Sequence, residues 1–226
     1  MRMLEVCAAS LDSVLEAAKG GAGRIELCRA LELDGLTPSQ EDILEARKIE
    51  GIRLHVLIRP REGNFVYTEE EFDTMHTQIA FCKEAGVDGV VIGALTPEGD
   101  IDVTHCRALV EAARPMAVTF HRAFDHCRHP ETALEQIIAL SCERLLTSGQ
   151  APTAAEGIPL LSRLNQLAAG RLIVMPGAGV NPSNAAHILN ETRCHEIHSS
   201  ARHKGEHNTS AAVVKQIVDA IQDKIQ

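Results

Sequence analysis

The chain has 226 residues, 45% of them hydrophobic and 23% charged, with a formal charge of −9. That length suffices for one large domain, whose core Leu, Ile, Val and Ala must fill because only 3% of residues are aromatic. The acidic balance argues against a protein that grips nucleic-acid phosphates, and no apolar run approaches the roughly 18 residues of a membrane span. The opening MRMLEVCAASLDSV lacks the uncharged core of a signal peptide, which makes a cytoplasmic protein the expectation. Seven cysteines, with no CxxC spacing, argue against a disulfide scaffold or a zinc ribbon.

Short apolar runs rich in β-branched residues recur along the chain. In order they are LEVCA from Leu4, RIELC from Arg24, RLHVLIRP from Arg53, GVVIGAL from Gly89 and AVTFHRAF from Ala117. RLLTSG from Arg144, LIVMPGAG from Leu172 and EIHSSA from Glu196 complete the set. Their starts are 20, 29, 36, 28, 27, 28 and 24 residues apart. A βαβ unit of roughly 30 residues needs about that much chain.

The segments between these runs read as helices. SLDSVLEAAKGG begins with Ser10 as an N-cap and ends in Gly20 and Gly21. SQEDILEARKIEG carries acidic residues in its first turn and basic ones near its end, as the helix dipole favours. EEEFDTMHTQIAFCKEAG, DVTHCRALVEAAR, HPETALEQIIAL, AAEGIPLLSRLNQLAAG and NPSNAAHILNET follow, and AAVVKQIVDAIQDKIQ closes the chain. Eight strands alternating with eight helices predict a single (β/α)8 TIM barrel over residues 1–226, with parallel strands and short loops. An open doubly wound sheet would call for a G-x-G-x-x-G turn, and none opens the first unit.

In such a barrel the chemistry sits at the carboxyl ends of the strands. Period-two alternation sends apolar residues toward the helices and leaves Glu5, Cys7, Arg24, Glu26 and Cys28 inside. Glu5 is then expected beside Glu26, and Cys7 beside Cys28. The same reading turns His55, Leu57 and Arg59 inward on strand 3, Thr119 and His121 on strand 5, and Glu196 and His198 on strand 8. Glu5, Glu26, Arg59, His121 and His198 form a candidate catalytic set, with Arg59, Arg61 and Arg122 as anion clamps. That pattern suits an isomerase, lyase or hydrolase acting on a small anionic, phosphorylated metabolite. Internal ion pairs joining Glu5 or Glu26 to Arg24 or Arg59 are the structural alternative. The loops after strands 7 and 8 offer Gly177, Gly179, Ser199, Ser200 and Arg202 as an anion-binding set.

LEVCA, RIELC, IRPREGNFVYTEEE, VIGALTPEGDID, FHRAFD, LTSGQ, PGAGVN and EIHSSAR together resemble the motifs of the CutC family, in order and over the whole chain. The resemblance implies a TIM barrel, a cytoplasmic location, a role in copper homeostasis and a homodimer. It also implies copper(I) as the ligand of Cys7 and Cys28, whose soft sulfurs suit that ion. The alternative for both cysteines is plain packing of small buried thiols. Apart from copper(I) and a small anionic ligand, no cofactor, nucleic acid or membrane partner is expected.

Overall fold

Every strand window read from the sequence contains a strand in the computed structural model, which describes residues 2–203 and 205–222. The first half runs β1 (Met3–Ala8), α1 (Leu11–Gly20), β2 (Arg24–Leu27), α2 (Gln40–Arg47), β3 (Leu54–Leu57), α3 (Glu69–Glu84), β4 (Gly89–Ile92) and α4 (Val103–Ala113). The second half runs β5 (Ala117–Phe120), α5 (Pro130–Ala139), β6 (Arg144–Thr147), α6 (Ile158–Ala168), β7 (Ile173–Pro176), α7 (Ala185–Thr192), β8 (Glu196–Ser199) and α8 (Ala211–Gln222). The last four residues of the predicted final helix, 223–226, lie outside the described residues. Short 3₁₀ turns follow β2 at Leu31–Leu33 and β5 at Arg122–His126.

Local chemistry sets the helix ends. Ser10 is extended and its hydroxyl accepts from the Ser13 N–H, while Gly21 closes α1 at φ 89°. Thr68 and Glu71 form a reciprocal capping box at the start of α3.

The strands pair in parallel in the order β7-β6-β5-β4-β3-β2-β1-β8. Outward residues such as Leu4, Val6, Ile25, Leu54, Val90, Val118, Leu145, Val174 and Ile197 are buried against the helices in one continuous apolar core. The interior of the barrel is polar by comparison and holds a small separate cluster of Cys7, Cys28, Leu57 and Val91. Two glycines, Gly89 in β4 and Gly93 just after it, face neighbouring rings: a Cβ at Gly89 would lie 2.5 Å from His55 Nε2, and one at Gly93 2.5 Å from His121 Nδ1.

Among the described residues, β7 and β8 share no backbone ladder. Side chains close that seam. Ser199 Oγ donates to Val180 O across the mouth end at 2.8 Å. At the opposite end Arg144 on β6 reaches past β7 to Glu196, Nε to carboxylate at 2.9 Å.

Candidate functional site

The register between β1 and β2 decides which inward groups meet. Glu5 pairs with Arg24 and Cys7 with Glu26, so strand 2 is displaced by two residues from the alignment the motifs suggested. The expected Glu5–Glu26 neighbourhood is thereby corrected. Strand tilt in a barrel staggers neighbouring strands, and alternation along one strand carries no information about that stagger.

Two polar layers result. In the lower one Arg24, 1% exposed, lies between two carboxylates: its Nε donates to Glu5, and one terminal nitrogen donates to Glu196 at 2.5 Å. This is the internal ion pairing weighed as the structural alternative, and it claims Glu5. Burial opposes the charge on Glu5, but Arg24 and the hydrogen bond from His198 prevail and hold the carboxyl well below its usual range. Glu5 thus acts as a fixed anion.

The upper layer sits on that anion. Glu5 Oε1 lies 2.8 Å from His198 Nδ1, so an ionised Glu5 fixes the proton on Nδ1. Burial works against a charged His198, yet its contacts with Cys7 and Glu5 raise its pKa well above the ordinary value. The donor atoms of Cys7, Glu26 and His198 all lie within 4.8 Å of one another. Cys28 joins them, its Sγ 3.5 Å from that of Cys7. The sulfurs meet despite the two-residue displacement because Cys28 follows the end of β2 and its thiol lies back toward β1. Cys7 is driven upward first by its contact with Cys28 and then by burial, which keeps it a thiol at neutral pH. Burial also raises Glu26 to about 7, against the opposing pull of His198, and leaves its Oε2 without a hydrogen-bond partner.

Above this cluster the mouth opens into a cavity of about 590 Å³. Glu26, Arg59, His121 and His198 from the candidate catalytic set line it, whereas Glu5 lies beneath. Arg59 is engaged by backbone: it donates to the carbonyls of Leu33 at 2.7 Å, Gly35 at 2.8 Å and Gly63 at 3.0 Å. It shapes the rim by tying the loops after β2 and β3 together. Arg61 is committed to Glu71 at 2.5 Å and to the carbonyls of Asn64 and Val66, outside the cavity lining. That corrects its assignment as a clamp. His121 Nδ1 accepts from the Ala123 N–H at 3.1 Å, which places the ring proton on Nε2. Burial, reinforced by the Arg59 charge, depresses His121 to about 3 and keeps the ring neutral.

Of the anion set, Gly179, Ser199, Ser200 and Arg202 line the cavity and Gly177 does not. The Gly177 N–H already donates to Thr147 O at 3.0 Å, and a Cβ there would lie 2.6 Å from Leu146. Its glycine serves packing beside the seam. Ser199 spends its hydroxyl on Val180 O and accepts from Ala201 N at 3.0 Å. Phe65 and Asp34 also line the cavity and were not singled out from the sequence. They lie in loops, where no periodicity marks an inward residue.

The CutC family profile matches residues 2–203. A relative from Chromobacterium violaceum, described as a CutC family protein, is 53% identical over 201 residues, covering 89% of this chain and 81% of its own. Another from Parabacteroides distasonis is 52% identical, covering 89% and 83%. Among solved structures, a CutC protein from Streptococcus agalactiae, provisionally described as a copper homeostasis protein, superposes with a TM-score of 0.85. It is 33% identical and covers 88% of this chain and 99% of its own. A thiamine phosphate pyrophosphorylase from Pyrococcus furiosus, 16% identical with a TM-score of 0.68 over 99% of this chain and 97% of its own, shares the barrel fold alone.

Proposed function

Since the chain belongs to the CutC family, we propose that it serves copper homeostasis as a cytoplasmic copper(I)-binding protein whose ligands are Cys7 and Cys28. The observation that carries this reading is the 3.5 Å approach of the two sulfurs at the floor of the mouth. Two thiols side by side form a soft donor set, and copper(I) prefers soft donors. Glu26 and His198 stand within reach of Cys7 as further donors. Glu5 supports the site from below in the manner of a carboxylate that orients a ligating imidazole, because it fixes the His198 ring through Nδ1. No described helix is long and apolar enough to cross a membrane.

Binding requires thiolates, and Cys7 starts as a thiol, so copper(I) must displace its proton. Affinity is therefore expected to rise with pH from 6 to 8. The test is an anaerobic copper(I) titration against a competing chelator. One site per chain is expected, with at least a hundredfold weaker binding in the Cys7→Ser, Cys28→Ser double variant. Unchanged affinity in that variant removes the proposal.

A further inference from the structure

The charge of the cavity runs against the charge of the chain. A protein with a formal charge of −9 lines one mouth with Arg59, Arg122 and Arg202. Only Glu26 and Asp34 among the lining residues are acidic. Neither Arg59 nor Arg202 has a carboxylate partner among the described residues; Arg202 Nε donates to Ser200 Oγ at 3.2 Å. Uncompensated guanidiniums at the mouth of a low-dielectric cleft focus a positive potential into it, and such clefts concentrate anions.

Three further features bear on what that anion is. Asp125 holds Arg122 through its Nε at 2.8 Å and is itself fixed by the Ser148 N–H and hydroxyl at 3.1 and 3.0 Å, so Arg122 stands on a rigid turn. His121, 5% exposed, carries its proton on Nε2, and that nitrogen has no partner in the wall of the cavity. Phe65, Leu57 and Leu146 supply apolar lining for a short carbon skeleton. The volume of about 590 Å³ falls in the range of small-molecule sites.

We propose that the barrel mouth binds a small oxyanion-bearing metabolite, a carboxylate or a phosphate ester, held by Arg122 and Arg202 with a ligand oxygen accepting from His121 Nε2–H. Because His121 is neutral, it contributes a directed donor and no net charge, and the arginines supply the charge. This site uses none of the sulfur donors, so it stands or falls apart from the copper(I) reading.

The test uses ¹⁵N-labelled, metal-free protein at pH 7.5, titrated separately with inorganic phosphate and with pyruvate to about 10 mM, well above a Kd near 1 mM. The expected result is a saturable shift of the His121 Nε2–H resonance with at least one probe. Saturation by pyruvate alone assigns a carboxylate ligand, and saturation by phosphate alone a phosphoryl ligand. Arg122→Met and Arg202→Met, at partly exposed positions, should each weaken that binding about tenfold. Read from the backbone amide shifts of Gly179 and Arg202 in the same titration, His121→Gln, which keeps an N–H at the same reach, should bind within threefold of the parent, and His121→Phe should not bind. Should the histidine variants fail to fold, the arginine variants still decide. Absence of a saturable shift with both probes, or parental affinity in either arginine variant, overturns the proposal.

Discussion

Glu5 and Glu26 occupy one face of neighbouring strands, yet the protein treats their charges oppositely. Glu5 has Arg24 and His198 to hold its charge, whereas Glu26 has lost water without gaining a cation of its own. The signs of their pH dependence follow. Glu26 rises from 4.5 to about 7, so its share of stability is complete below pH 4.5 and is lost as pH climbs through about 7. Glu26→Gln is expected to be more stable than the parent at pH 8, by on the order of 3 kcal/mol, and equal to it near pH 4. Urea denaturation of both proteins at the two pH values checks this. Glu5 is depressed, so its share is present above pH 4.5 and is lost as pH falls through its folded value. Glu5→Gln leaves Arg24 half-paired and should cost about 3–5 kcal/mol at pH 7, shrinking toward acid in the same assay. The inward assignment of Glu5, Cys7, Glu26, His55, His121 and His198 was legible from alternation alone. Which of them touch was not, because the contact Glu5–Arg24 depends on how far one strand slides along the next.

At the scale of elements, spacing and caps marked all eight strands and helices, since each βα unit must bury one apolar face and end in a turn. Less visible was the role of two glycines at the ends of β4. Gly89 and Gly93 clear space for His55 on β3 and for His121 just past the end of β5. Gly89→Ala would set a methyl 2.5 Å from the His55 ring, and overpacking of this kind costs about 1–3 kcal/mol. In a His55→Ala background the same change should cost less than about 1 kcal/mol, since neighbouring sites are not additive. A double-mutant cycle by chemical denaturation measures the difference. An equal cost in both backgrounds would place the penalty in the backbone. The loops were the least legible elements. Arg59 and Arg61 both looked like anion clamps, but loop carbonyls with no periodic signal engage Arg59, and Arg61 turns away to Glu71 in the first turn of α3.

For the whole molecule, the resemblance carried by eight ordered motifs fixed family and barrel together, and it also implies a homodimer. Light scattering on a size-exclusion column is expected to return twice the 24.5 kDa of one chain at micromolar concentration; a single-chain mass would refute the dimer. The barrel itself is a split ring. Seven joints between strands are backbone ladders, and the eighth, between β7 and β8, hangs on Ser199, Val180 and the reach of Arg144 to Glu196. A ring with one soft joint yields there first, because ladder bonds must break together while side-chain clasps let go singly. The loops on either side of the split carry Gly179 on one lip and Ser200 with Arg202 on the other. A molecule gripping both lips would act as a buckle, holding the ring shut to the extent that it binds the closed ring more tightly than the parted one.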